Sequence, residues 1–158
     1  MKLSRSDIGK FSQLLQIDQH ELIADARLNA ETDSGPNPHD LYDAALAACK
    51  AITLLMYAEQ ARIPLDDVQI TVDRDSSEER SGKYHLQVGL VLNGKFDATQ
   101  KDRLEKVAEK CPVHKLMTTS VTTITTNFEF AESNHGAKAS LNGENSWSRL
   151  IELSRSLQ

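Results

Sequence analysis

The chain has 158 residues and a formal net charge of -5, long enough for one unit with a hydrophobic core. Hydrophobic residues make up 39% and charged residues 26%, a globular balance that argues against wholesale disorder. The acidic balance and the scattered Lys and Arg argue against nucleic acid, where a basic patch supplies most of the affinity.

The first residues, MKLSRSDIGKFSQLLQ, are polar and carry no continuous apolar run, so no secretory signal is expected. No stretch approaches the roughly 18 apolar residues that suggest a membrane span. The expected compartment is the cytoplasm, where thiols stay reduced and a cysteine pair is more at home cycling than as a permanent bridge. Two cysteines are too few for a structural zinc site of the usual Cys-rich kind.

Residues 1–12 show no pattern. Leu14, Leu15 and Ile17, then Leu22, Ile23 and Ala24, give short apolar alternations, read as one or two strands with a turn near Asp18 and Gln19. AETDSG, 30–35, has loop composition. Asn37 suits an N-cap, Pro38 the first helical position, and Asp40 completes a weak capping box. The helix should run to about Ala61. Its middle, AALAACKAITLLMYA, is apolar on nearly every face, which predicts burial all round, with Cys49 inside.

Val68–Asp73 and Tyr84–Leu92 alternate and are rich in β-branched residues. They predict an antiparallel hairpin joined by a charged loop. Asp97–Lys110 reads as an amphipathic helix, and a second short helix begins at Pro112 and covers Val113 to Met117. VTTITTNFEF, 121–130, has strand composition. From 131 the chain turns polar. Residues 131–146 read as a loop, and Ser146 to Leu157 as a helix. The order of elements makes the fold α+β, with a domain over 1–130 and an extension over 131–158.

The cysteines carry the chemistry. Cys49 has a plain reading as a small core residue and a sharper one as a nucleophile. The start of its helix is too far away to activate it, and Lys50 points about 100° around the helix. Activation would need a cation from elsewhere in the fold. Cys111 falls at the N-cap of the helix that Pro112 opens, an unfavoured residue there. Free N–H groups, with His114 and Lys115 close by, would stabilise its thiolate. As a pair, one cysteine would attack a peroxide O–O bond and become a sulfenic acid. The other would condense with it to a disulfide, provided that their Cα atoms come within about 7 Å.

GPNPHDLYDAALAACK, 35–50, and AEKCPVHKLM, 108–117, resemble the two cysteine motifs of the OsmC/Ohr family. The resemblance covers about 14–130. It implies antiparallel strands around a long central helix carrying Cys49, in an intertwined homodimer with active sites at the subunit interface. It also implies reduction of organic hydroperoxides, with Cys49 as the peroxidatic and Cys111 as the resolving cysteine. Dithiols such as lipoyl groups would be the reductant, with no metal, haem or flavin. The family often has Glu after the Asn-Pro pair, in an Arg–Glu–Cys network. Here that position holds His39, followed by Asp40. Asp40 is read either as the replacement carboxylate or, preferably, as an ordinary helix-start carboxylate. Arg27 is either the network's arginine or an exposed strand residue. Two further functions compete: a non-catalytic binder of a small or acyl ligand on the same scaffold, and a redox sensor.

Overall fold

The computed structural model describes residues 1–26 and 33–131. The chain divides into two compact units, Met1–Thr122 and Thr123–Gln158. In the first, β1 (Lys2–Arg5), β2 (Gln13–Ile17) and β3 (His20–Ala24) form an antiparallel sheet in the order β1-β2-β3. The β2–β3 turn falls at Asp18 and Gln19 as expected, with Asp18 in the left-handed region at φ 53°. The sequence carries no strand signal in residues 1–12, yet Lys2–Arg5 is a strand. Its four residues pair with Gln13–Gln16, and the neighbouring ladder supplies what propensity does not.

α1 spans Pro38–Ala61, the expected range. Asn37 and Asp40 close a reciprocal capping box: the Asp40 N–H donates to the Asn37 side chain at 3.0 Å, and the Asn37 N–H to Asp40 at 3.2 Å. Gly35, just upstream, lies so close to the Ile23 carbonyl that a Cβ has no room there. This close approach lets the chain pass β3 before entering the helix. Arg62 ends α1 in the left-handed conformation at φ 54°.

β4 (Leu65–Asp75) and β5 (His85–Gly94) form the expected hairpin, longer at both ends than their patterns suggest. A 3-10 turn at Glu79–Ser81 lies in the connecting loop. From Val68 on in β4, and along β5 from His85 to Leu92, every second side chain turns inward. α2 (Ala98–Ala108) packs on α1, as does α3 (Pro112–Thr118). The core is Leu54, Ala58, Ile63, Leu104 and Ala108, flanked by Leu65, Val68, Leu90 and Phe96.

Three expectations fail. α1 is not buried all round: Ile52 is 56% and Met56 65% exposed, and Leu55 is also exposed. The β4–β5 hairpin and α2 cover one face, and no element among the described residues covers the other. Nor is the helix short of apolar length. By length and composition it could cross a membrane, with a mean hydropathy of 1.3 in its most apolar window, a property that core helices share. The segment 121–130 forms no strand; in it Val121, Ile124, Phe128 and Phe130 are exposed. A strand needs a ladder partner, and composition does not provide one. The helix expected over Ser146–Leu157 lies outside the described residues.

Candidate functional site

α1 places Cys49 about halfway along its length, and the junction between α2 and α3 places Cys111 against it. Cys111 is the N-cap of α3, as its position before Pro112 suggests, but its side chain makes no capping hydrogen bond. It is 1% exposed, Cys49 is half-buried, and both are free thiols.

The sequence suggests Cys111 as the easier thiolate. The structure reverses the order. Burial pushes the Cys111 thiol up, and donating its hydrogen bond to Cys49 pushes it further. Burial also pushes Cys49 up, but four favourable interactions outweigh it. The Cys111 thiol, the Val113 backbone N–H and the Thr53 side chain donate to its sulfur, and the Lys50 charge adds attraction. The Cys49 thiol therefore lies below its ordinary value of 9.0. The α3 backbone N–H groups of His114 and Val113 do favour the Cys111 thiolate, as expected, but burial and Cys49 outweigh them, and the Val113 N–H also serves Cys49. Thr53 is one helical turn beyond Cys49, a spacing that could have been read from the sequence.

Lys50 is the residue that sequence reasoning set aside. It is 3% exposed, and its Nζ donates to the Ala108 carbonyl at 2.6 Å and lies 3.3 Å from His114 Nδ1. The cation near Cys49 thus comes from its own helix. A lone charge in an otherwise apolar run was the available signal, since lysine is almost never buried without partners. Lys50 and His114 also line a cavity of about 590 Å³, with Tyr42, Leu46, Tyr84 and Leu90 on its walls. The cysteines are not among its lining residues.

Asp40 sits nine residues before Cys49, about 13 Å along the helix axis at 1.5 Å per residue. It accepts a hydrogen bond from Arg74 Nη2 at 2.6 Å. Arg74 also pairs with Asp43 at 3.4 Å, and the Tyr84 hydroxyl donates to Asp43 at 3.1 Å. Asp40, followed by Tyr84, pushes the Arg74 guanidinium above its already high ordinary value. His39, where the resembled pattern has Glu, bonds Glu79 at 2.8 Å and faces the Tyr84 ring. Arg27 lies outside the described residues. Among the described residues no three His, Cys, Asp or Glu side chains gather as a metal-binding set.

A family model described as "OsmC-like protein" matches residues 31–127, more than half of the chain. Among curated proteins no sequence matches. Solved structures do. An OsmC-like protein from Mycoplasma pneumoniae is 21% identical with a TM-score of 0.62, covering 75% of this chain and 85% of its own. An osmotic stress induced and detoxification response protein from Psychrobacter arcticus is 18% identical with a TM-score of 0.59, covering 75% and 87%. The organic hydroperoxide resistance protein OhrB of Bacillus subtilis is 26% identical with a TM-score of 0.51, covering 75% and 90%. The shared fold is α+β, with antiparallel strands and one long helix.

Proposed function

The chain belongs to the OsmC-like protein family, and on that premise we propose that it reduces organic hydroperoxides in defence against oxidative stress. Cys49 is the peroxidatic and Cys111 the resolving cysteine. The observation that carries this reading is the contact between two free thiols driven in opposite directions, Cys49 down and Cys111 up. Such a pair holds one sulfur ready as nucleophile and the other protonated until needed. The likeness to a hydroperoxide resistance protein supports the substrate class.

The Cys49 thiolate attacks the terminal oxygen of the hydroperoxide. The O–O bond breaks, the alkoxide leaves and takes a proton to become the alcohol, and Cys49 becomes a sulfenic acid. Cys111 then gives up its proton and attacks the sulfenic sulfur. The S–S bond forms and hydroxide leaves as water. Two electrons pass from the sulfurs to the peroxide. An external dithiol, lipoyl-type by the family resemblance, restores both thiols. Arg27 is proposed to add positive charge at Cys49. Asp40 has the part of a structural carboxylate that fixes Arg74 and the start of α1.

The working unit is proposed to be a homodimer in the cytoplasm, where thiols stay reduced. Ile52, Leu55 and Met56 on α1 are exposed in the single chain, and a second copy would cover them. A second reading, a non-catalytic binder of a small or acyl ligand, is favoured by the roughly 590 Å³ cavity beside α1.

The deciding experiment mixes reduced protein with cumene hydroperoxide and a dithiol, then follows peroxide and thiols. The peroxidase reading expects fast, saturable turnover that Cys49→Ser abolishes. A wild-type rate no faster than that of a free thiol would overturn it in favour of the ligand-binding reading.

A further inference from the structure

We propose that Lys50 is a positioning residue for the resolving cysteine. Its buried ammonium bridges Ala108 and His114, which bracket Cys111 three residues to either side, and so holds the α2–α3 junction against α1 beside Cys49. The inference rests on the reading of Cys49 and Cys111 as a working pair.

Burying a lysine charge is costly unless strong partners replace its water. Lys50 has them. The 2.6 Å bond to the Ala108 carbonyl is short and charge-assisted, and that carbonyl is one of those left unpaired at the end of α2. A cation is favoured at this end of a helix. The second anchor, at 3.3 Å, is His114 Nδ1, which accepts when the ring proton sits on Nε2. Glu109 to Val113 lie between the anchors, and this stretch holds both donors aimed at Cys49 from outside α1: the Cys111 thiol and the Val113 N–H.

Lys50 follows Cys49 on the same helix, so clamp and nucleophile move as one rigid element. Their side chains diverge by about 100°. Cys49 can therefore face Cys111 while Lys50 reaches the two ends of the turn. The step that depends on this geometry is the attack of Cys111 on the Cys49 sulfenic acid, which forms the S–S bond and releases water. An intramolecular step of this kind is sensitive to displacement: about 1 Å can cost about 100-fold.

The test uses the full chain and two variants. Lys50→Met keeps an unbranched stem without the ammonium. His114→Leu removes one anchor from a partly exposed position. Two rates are read separately: formation of the Cys49 sulfenic acid, trapped with dimedone, and closure of the Cys49–Cys111 disulfide, by peptide mass spectrometry. Oxidation is by cumene hydroperoxide for both rates and, in parallel, by diamide, which forms no sulfenic acid, for closure alone. Lys50→Met should slow closure at least about tenfold, and more than it slows the first step. His114→Leu should slow closure less. In Lys50→Met, sulfinic acid should build up on Cys49 although Cys111 is present. Closure at the wild-type rate in a folded Lys50→Met protein overturns the proposal, as does an equal loss of both steps. If Lys50→Met does not fold by circular dichroism, His114→Leu decides by the same criterion. If wild type fails to accelerate peroxide reduction but diamide closure still depends on Lys50, the positioning role stands and the peroxidase reading falls.

Discussion

The Cys111 side chain meets Cys49, and burial of the one together with the donors gathered around the other makes the two sulfurs chemically unequal. Neither residue's local sequence encodes this difference. It arises because the N-cap of a seven-residue helix meets the middle of a 24-residue one.

The inequality sets the pH dependence of alkylation. Thiolate is the reactive form, and a lowered value means that a larger thiolate fraction exists at a given pH. The Cys49 midpoint should therefore lie below 9.0, and Cys111, buried, should react later and more slowly. Cys111→Ala removes a donor and should move the Cys49 midpoint up, while Cys111→Ser should keep most of the effect. If Arg27 contributes, Arg27→Ala also moves it up. An unchanged profile, read with iodoacetamide and peptide mass spectrometry, removes Arg27 from the site.

Cys111→Ser should permit one oxidation of Cys49 without closure. With the trapping thiol gone, the sulfenic acid should advance to sulfinic and sulfonic acid as peroxide rises. Peroxide-treated wild type should instead show a Cys49–Cys111 disulfide within one chain. Intact mass and peptide mapping read both results. A Cys111→Ser protein that turns over like wild type would show that the second thiol is not needed.

Arg74 should matter for stability rather than for the thiols. Arg74→Leu leaves the buried Asp43 carboxylate with the Tyr84 hydroxyl but without its guanidinium, a loss of about 1–3 kcal/mol. Asp40→Ala removes the Arg74–Asp40 pair and half of the capping box, and should cost about 1 kcal/mol. Urea unfolding should show both losses. The Cys49 alkylation midpoint should stay in place in both variants. If it shifts in Asp40→Ala, Asp40 has the carboxylate role in the thiol network.

The open face of α1 should be an interface. Sedimentation equilibrium at low micromolar concentration should give twice the 17.6 kDa chain mass. Met56→Glu places a charge among Ile52, Leu55 and Met56, and burying it there would be costly. It should shift the equilibrium strongly toward monomer. A monomeric wild type would sink the dimer.

The sequence by itself determined the local structure. Asn37, Pro38 and Asp40 specify where α1 begins, because they satisfy orphan N–H groups or lack one. The alternation in β4 and β5 specifies which face turns inward, because strand side chains have a period of two. Pro112 specifies where α3 starts. These signals act over a few residues and need no partner. Tertiary structure decided the rest, because each remaining item is a contact between distant segments. β1 exists through its pairing with β2, while 121–130, richer in strand formers, has no ladder among the described residues. The middle of α1 is apolar on nearly every face, but among the described residues its cover reaches only one side. Lys50 looks misdirected on a helical projection, yet it becomes the cation beside Cys49 because residues 108 and 114 arrive to receive its ammonium. The roles of the two thiols follow from the same long-range contact: burial and hydrogen-bond direction set a thiol's proton affinity, and both are fixed only when α1 meets the α2–α3 junction.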